Sequence, residues 1–581
     1  MRNPISVTLF CLCLLIIRVK TQEDRDEGLD DWLAKFRAGG PPPNIVFILA
    51  DDLGHADVSY TEGSHQTPTP NIDALAWDGI ILNRHYTNPI CTPTRSALLS
   101  GKYTFNTGMQ TSVVITPGST WGLPLTLKLL PAYLKDLNYT TSLLGKWHLG
   151  SFTRDYLPGA RGFDYSFGFN QGTTNAFNYT MGPSGAITGR DIYENGYQVP
   201  QNCTNNHYFP DLMLEKFEQI IHNADPAKPF YIQFNTPVPH SNNEWFGAVQ
   251  HTMPQYTERP AVTALDDSFL DRRKQLGLIQ ALDEQVRRIT LALTYKGVIN
   301  NTIIVFASDN GAATRTFGLL NGADPNFGST WPLRMFKQTL FEGGVRTPAF
   351  IWSSRFRRAG RFTNQLFHVT DWLPTLYQAA GGDVSTLMGL DGVSQLESLV
   401  TGRNITHRTE IPLNIDNKKT RYNSSALNPL YALIALDNSS GILYKLVGGS
   451  VYNDSYAGWE RTEGTTSSNP MSTPTAVSVQ CNGVEGVEQT PCTPWNADCL
   501  FDLTNDPCEL NNIAGSNGNV LVWLKEKLAA YNATAVSPIA NRTMDYRSNP
   551  NSWNGWWVPF LDPQPVWVSP PCVPFNPSSA S

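Results

Sequence analysis

The chain has 581 residues, 41% of them hydrophobic and only 16% charged, which excludes a disordered protein and leaves room for a large packed core plus a smaller second region. A formal net charge of −7 argues against a nucleic-acid protein or a polybasic membrane binder. An anionic substrate must therefore be held by local cations rather than drawn in from a distance.

Arg2 followed by an apolar run from Ile5 to Ile17 predicts a signal peptide over residues 1–22, too short to span a bilayer. No later apolar run is long enough to cross a membrane, so no membrane span is expected. Cys11 and Cys13 leave with the signal, and seven cysteines remain, an odd number that leaves one thiol unpaired in a secreted chain. If Cys91 is the odd one, Cys203, Cys481, Cys492, Cys499, Cys508 and Cys572 can form three disulfides. Nearness in sequence suggests Cys481–Cys492 and Cys499–Cys508. Ten Asn-x-Ser/Thr sequons, at Asn138, Asn178, Asn202, Asn300, Asn404, Asn423, Asn438, Asn453, Asn532 and Asn541, agree with a secreted glycoprotein.

Residues 23–43 are acidic, then rich in Gly and Pro, and read as a flexible N-terminus. Asn44 to Ala50 is a short β-branched and apolar run, the pattern of a buried parallel strand, with Asp51-Asp52-Leu53-Gly54 at its C-terminal end. Thr69-Pro70 opens a helix with Ile72, Leu75 and Ala76 on one face and Gly79 after it. The stretch Cys91-Thr92-Pro93-Thr94-Arg95-Ser96-Ala97-Leu98-Leu99-Ser100-Gly101 predicts another helix, capped by Thr92, with Pro93 at its first position and Gly101 as its stop. Cys91 then sits just before a helix N-terminus, where free N–H groups favour an anion, with Arg95 one turn in. An amphipathic helix is expected over Leu125 to Leu137, interrupted at Pro131, and a strand over Thr141 to Leu144 leads into Gly145-Lys146-Trp147-His148-Leu149-Gly150. Residues 151–208 read as long loops. A helix over Pro210 to Asn223, a strand over Phe230 to Asn235 that delivers Pro239-His240, a long helix over Ser268 to Lys296, and a strand over Thr302 to Ala307 ending in Ser308-Asp309-Asn310-Gly311 follow.

With a strand at 349–353 and a helix over Val369 to Ala380, this alternation predicts an α/β domain over 44–384, a large mixed, mostly parallel sheet flanked by helices. A smaller C-terminal α+β region over 385–548 carries a hairpin, Tyr431 to Leu436 with Ile442 to Val447, and a helix over Leu521 to Tyr531. A Pro/Trp-rich tail runs over 549–581.

Asp51, Asp52, Asp309 and Asn310 all follow strands. Taken singly such residues are ordinary turn formers; converging, they are the hard oxygen donors of a Ca²⁺ or Mg²⁺ site. No His/Cys spacing suggests zinc.

Cys-x-Pro-x-Arg followed by Ser-x-Leu-x-x-Gly resembles the sulfatase signature. Asn44 to Gly54, Gly145 to Gly150, Ala307 to Gly311, and Phe336-Lys337-Gln338-Thr339 with Glu342-Gly343-Gly344-Val345-Arg346-Thr347-Pro348 resemble that family's metal, second-signature and lysine loops. The wording at Thr67 to Asn71 and Gly122 to Leu125 is most similar to the arylsulfatase B (N-acetylgalactosamine-4-sulfatase) branch. The resemblance implies an alkaline-phosphatase-like fold and hydrolysis of sulfate esters, with sulfated N-acetylgalactosamine in glycosaminoglycans as the natural substrate class. It also implies a Cα-formylglycine made from Cys91 by a formylglycine-generating enzyme, acting as a hydrate through a covalent sulfate. One Ca²⁺ would be held by Asp51, Asp52, Asp309, Asn310 and the modified Cys91. Arg95 would hold the aldehyde hydrate, Lys146 and Lys337 the sulfate, His240 would protonate the leaving alcohol, and His148 would assist sulfate release. The implied compartment is the secretory pathway, lysosomal or extracellular.

Two features depart from the family pattern. Ser241-Asn242 after His240 lacks the usual apolar residue or proline, which leaves His251 as a rival; and Met335 stands where relatives often carry glycine. The competing readings are a phosphatase or phosphodiesterase of the same fold, opposed by Cys91 and the sparse histidines, and a catalytically silent glycan-binding protein, opposed by the complete set of motif residues. A purely structural secreted glycoprotein would leave those motifs unexplained.

Overall fold

The structure is a computed structural model that describes residues 41–563, apart from 63–65, 67, 111–113, 183–186, 205–206, 242–251, 322–324, 357–358, 404, 417–429, 450–457, 466–474, 482–489 and 541–542. The expected signal peptide, His251, Cys572 and the sequons at Asn404, Asn423, Asn453 and Asn541 lie outside the described residues.

The strands β1 (Asn44–Ala50), β2 (Ile80–Leu82), β3 (Thr140–Lys146), β4 (Tyr165–Phe169), β5 (Tyr193–Glu194), β6 (Tyr197–Gln198), β7 (Phe230–Asn235), β8 (Thr302–Ser308), β9 (Ala349–Trp352) and β10 (Arg361–Thr363) form one sheet. Their order is β10-β2-β9-β8-β1-β7-β3-β4-β5-β6. The five central strands β8, β1, β7, β3 and β4 are parallel to one another, and antiparallel pairings at β8–β9, β9–β2, β4–β5 and β5–β6 make the sheet mixed. Every residue of β1, β7 and β8 is buried, as their apolar runs require of strands covered on both faces. On one face α1 (Pro70–Asp78), α4 (Phe209–Asn223) and α5 (Leu270–Tyr295) supply Ile72, Leu75, Leu214, Phe217, Leu278, Leu282 and Val286 against Val46, Ile48, Phe234 and Ile304. On the other, Phe47 meets Trp372 of α6 (Trp372–Ala379) edge to face at 5.5 Å.

A second, antiparallel sheet orders β11 (Glu410–Asp416), β12 (Leu430–Asp437), β13 (Ile442–Gly448) and β14 (Cys499–Asp502), so the expected hairpin is its centre. Its Ile411, Leu413, Ile434 and Phe501 pack against Phe336, Leu340, Phe341 and Val345, the segment that carries Lys337. The late helix, α7 (Gly518–Asn532), buries Leu524 against Leu433, Leu446 and Leu500 on its other side.

The structure differs from the sequence expectations in four places. The helix around Pro131 is confined to α3 (Leu130–Lys135), because proline is tolerated only in the first turn. Residues 151–208 contain β4, β5 and β6 rather than loops alone; glycines and polar residues hide the pattern of β4, whose sequence is YSFGF. The disulfides pair Cys481 with Cys508 and Cys492 with Cys499, not Cys481–Cys492 and Cys499–Cys508. Extended β14 carries the chain about 10 Å away from Cys499 before the turn that leads to Cys508. Cys203 is also disulfide-bonded, and Cys91 is the free, buried thiol. Fourth, Thr92 does not cap its helix, as described below.

Among the described residues no helix is long and apolar enough to cross a membrane. The sequon asparagines Asn138, Asn178, Asn202, Asn300, Asn438 and Asn532 are all exposed.

Candidate active site

The central parallel strands end level with one another, and the site stands on those ends. Ala50 is paired with Ser308, Leu49 with Asn235, and Asn235 with Gly145. The next residues along each strand, Asp51, Asp309, Thr236 and Lys146, therefore emerge side by side at the C-terminal edge, where open α/β sheets hold ligands. Gly145 is fixed by this packing: its φ is 95°, and a Cβ there would lie 2.0 Å from the carbonyl oxygen of Asn235.

Helix α2 (Cys91–Ser100) points its N-terminus at this edge and is buried throughout. It begins at Cys91, with extended Ile90 at the cap position, and it ends at Gly101 in the left-handed region, as expected. Thr92 is drawn away from capping: its hydroxyl donates to the His148 carbonyl at 3.4 Å and accepts from Ile115 N at 3.3 Å. The free N–H groups of the first turn are thus left at Cys91.

Around the thiol, three carboxylates and three cations interlock, all but completely buried. Lys146 Nζ donates to both oxygens of Asp51 at 3.0 and 2.8 Å. Arg95 grips Asp309 Oδ2 through Nη2 at 2.8 Å and Nε at 3.2 Å, with Asp51 3.6 Å from Nη2. Lys337 Nζ donates to Asp52 Oδ2 at 2.6 Å. Asn310 Nδ2 donates to Asp52 Oδ1 at 2.7 Å, and the Asp52 amide to Asp309 Oδ1 at 3.2 Å. Burial pushes the Asp51 and Asp52 carboxyls up. Lys146, His240 and Arg95 at the first, and Lys337 and His240 at the second, outweigh it and hold both below the usual range. Burial and neighbouring Asp51 push Asp309 up. Burial also raises the Cys91 thiol, although Lys146 and Lys337 act against it.

The two histidines face this cluster differently. His148, with φ 61°, sets its Nε2 2.9 Å from the Ile115 carbonyl, which can only accept; the proton is therefore on Nε2, and Nδ1 is a buried acceptor without a partner. Burial, with Lys146 nearby, keeps the ring neutral. Gly172 makes room for it, since a Cβ there would sit 2.9 Å from the imidazole. His240 directs Nδ1 to the Ser241 carbonyl at 2.5 Å, leaving Nε2 3.4 Å from Lys337 Nζ and 3.5 Å from Asp52 Oδ2. Its side chain is 16% exposed, against 7% or less for Asp52 and Lys337, so the cluster meets solvent here.

All the residues singled out in the sequence, Asp51, Asp52, Cys91, Arg95, Lys146, His148, His240, Asp309, Asn310 and Lys337, are thus linked to one cluster. Met335 adopts φ 61°, the left-handed conformation glycine takes without cost, which is the physical reason glycine suits that position. No motif signals the Ile115 carbonyl that sets the His148 tautomer, or Asn326, which donates to the Asp52 and Pro239 carbonyls.

The donor set fits a hard divalent cation. Asp51, Asp52 and His240 bring ligand atoms within 4.8 Å of one another. Asn310 Oδ1 is a fully buried acceptor with no partner. Carboxylate oxygens plus an unused amide oxygen suit calcium, not a thiolate- or imidazole-rich metal site.

The chain matches the sulfatase family over residues 43–382, more than half of its length. It belongs to the sulfatase family. This sulfatase is 32% identical over 528 residues to mouse arylsulfatase J, spanning 90% of this chain and 81% of that protein. It is 30% identical over 382 residues to human N-acetylgalactosamine-6-sulfatase, spanning 63% and 67%. Among solved structures it is similar to Ps i-CgsB in complex with k-i-k-neocarrahexaose, with a TM-score of 0.65 at 24% identity over 88% of this chain and 97% of that one. It is also similar to PsFucS1 sulfatase from Pseudoalteromonas sp., with a TM-score of 0.61 at 22% identity over 87% and 93%. These two likenesses are of fold. Family membership makes this sulfatase a sulfuric ester hydrolase.

Proposed function

We propose that this sulfatase removes sulfate from a sulfated sugar, with sulfated N-acetylgalactosamine of glycosaminoglycans as its substrate class, through an aldehyde made from Cys91. The observation that carries the reading is the setting of Cys91: the one free thiol among the described residues, at the first position of a buried helix, amid the charges of Lys146, Lys337, Asp309 and Asp51. A thiol whose ionisation burial suppresses is a poor nucleophile. Converted by a formylglycine-generating enzyme and hydrated, position 91 supplies an oxygen to attack sulfur and a second hydroxyl by which sulfate can be expelled.

Asp51, Asp52, Asp309 and Asn310 Oδ1, with the modified residue 91, would hold one Ca²⁺, which when bound polarises the sulfate. Lys146 and Lys337 each have three donors, and the contacts to Asp51 and Asp52 leave donors for sulfate oxygens as charge builds on them. Arg95, fixed by Asp309, presents its guanidinium one turn into the helix that begins at residue 91. His148 holds its proton on Nε2, so Nδ1 can accept one from residue 91 and assist sulfate release. His240 holds its own proton on Nδ1 against the Ser241 carbonyl, so from the solvent-facing side beside Lys337 it protonates the leaving sugar oxygen through Nε2 as the imidazolium, with the second proton taken up from solvent.

The exposed sequon asparagines and the disulfides suit a glycoprotein of the secretory pathway, lysosomal or extracellular. N-acetylgalactosamine rests on the resemblance at Thr67 to Asn71 and Gly122 to Leu125 and on the name of one relative, N-acetylgalactosamine-6-sulfatase. The test is a panel of 4-nitrophenyl sulfate, 4-nitrophenyl phosphate, and N-acetylgalactosamine 4- and 6-sulfates, assayed with protein from cells competent for the modification. Sulfate release from the aryl ester and at least one sugar is expected. Turnover of the phosphate alone would replace this reading with the phosphatase one, and binding of the sulfated sugars without turnover would favour a silent glycan binder.

A further inference from the structure

The segment between the second metal loop and Lys337 contributes a side chain to both halves of the site. Asn326, fully buried, donates from Nδ2 to the carbonyl of Asp52 at 2.8 Å and to the carbonyl of Pro239 at 3.0 Å. Its Oδ1 accepts from Gly328 N at 3.0 Å, and its own N–H is held by the Ala313 carbonyl at 2.8 Å, so the amide is fixed at both ends. The Pro239 carbonyl belongs to the peptide that enters His240. A second amide reaches it: Gln275 of α5, buried, lies 3.2 Å from Pro239 O and 2.7 Å from Asn326 O. Both are acceptors, which assigns the Gln275 amide nitrogen to them. A single buried amide thus ties the turn carrying His240 to the loop carrying Asp52, and a helix side chain braces it.

We infer that Asn326, backed by Gln275, is a positioning residue that sets where the His240 imidazole meets the leaving oxygen. The inference rests on the reading of His240 as proton donor to that oxygen. Asn326 touches no reacting atom; it acts by fixing the backbone on either side of the His240–Asp52 approach. Misplacing a proton donor by a fraction of an ångström costs most where the leaving group needs the proton and little where it does not. 4-Nitrophenolate leaves unaided, whereas phenolate gains much more from a donated proton.

The experiment compares kcat/KM for 4-nitrophenyl sulfate and phenyl sulfate in the intact enzyme and in Asn326→Asp, Gln275→Leu and His240→Ala, with thermal unfolding of each. Asn326→Asp keeps the size and loses both donated bonds. His240→Ala is expected to lower the phenyl ester about 10²-fold more than the nitrophenyl ester. Asn326→Asp should show the same selective loss at about tenfold and Gln275→Leu a weaker one; both should also lower the unfolding temperature, so the ratio of the two esters, measured below the transition, is the readout. Equal losses on both esters in His240→Ala would overturn the role given to His240. A selective loss in His240→Ala with an equal loss, or none, in Asn326→Asp would overturn the inference about Asn326. Should Asn326→Asp fail to fold, Gln275→Leu decides in its place, because it releases the same carbonyl from the other side.

Discussion

Two buried charge clusters in this molecule use the same residue types to opposite ends. At the strand ends, Asp51, Asp52 and Asp309 face Lys146, Arg95 and Lys337. Between the sheets, Lys445 of β13 lies 2.9 Å from Glu342 and 2.8 Å from Glu509, all three fully buried. In the second cluster the partners face one another: Glu342 also accepts from Tyr86 at 2.9 Å, its amide donates to Glu509 at 2.8 Å, and Glu509 Oε1, outside hydrogen-bonding geometry, is held by the charge of Lys445 at 2.8 Å. Nothing there faces solvent, and the cluster bolts the C-terminal sheet to the segment that starts with Lys337. In the first cluster an acceptor is left over at Asn310, an acceptor nitrogen at His148, and His240 opens to solvent. Charge that is closed on itself holds structure; charge with unused partners is set for a cation and an anion.

The comparison predicts different failures for the two lysines. Lys445→Met strands two buried carboxylates and should destabilise the fold by about 3–5 kcal/mol in denaturant unfolding, whereas the triple change with Glu342→Leu and Glu509→Leu should recover most of it. Lys337→Met should lower kcat about 10²- to 10³-fold on 4-nitrophenyl sulfate, with a far smaller change in unfolding of the calcium-loaded protein. If both lysines affected stability alone, the distinction would fail.

Removing divalent cations with a chelator should abolish turnover and lower the unfolding temperature, with calcium restoring both. At calcium 100-fold above its dissociation constant the expected stabilisation is about 2.7 kcal/mol, and Asp309→Asn should remove that calcium dependence.

A pH dependence lies behind His148. Asp191 accepts from the amides of Asn170 and Gln171, and the Asn170 carbonyl in turn accepts from the His148 amide. Burial pushes the Asp191 carboxyl up to about 7, although those amide bonds act against it. A folded-state value above the unfolded one means that its contribution is complete below about pH 4 and is lost as the pH rises through about 7. Unfolding free energies measured across that window should fall with rising pH by at most about 4 kcal/mol from this group, and Asp191→Asn should flatten the slope. An unchanged slope would remove Asp191 as its source.

Much of this was legible in the chain. Strands such as Asn44–Ala50 and Thr302–Ser308 are buried on both faces, so their sequences are unbroken apolar runs, and the acids that follow them stand out. What is not legible there depends on contacts distant in sequence. Tyr165–Phe169 joins the sheet because β3 lies beside it, not because its own pattern is strong. Thr92 gives up capping to bond His148, 56 residues away. Asn326 looks like any loop asparagine until Asp52, 274 residues distant, comes within 2.8 Å. Disulfide partners follow the course of β14 rather than nearness in sequence.

The central claim is that residue 91 acts as an aldehyde and not as a thiol. Its most direct test is mass analysis of the peptide containing residue 91 from protein secreted by modification-competent cells, read alongside sulfate release by the same preparation. The account predicts an aldehyde in place of the thiol, with activity proportional to the converted fraction and none in Cys91→Ala. Full activity in protein whose Cys91 thiol is intact would contradict it.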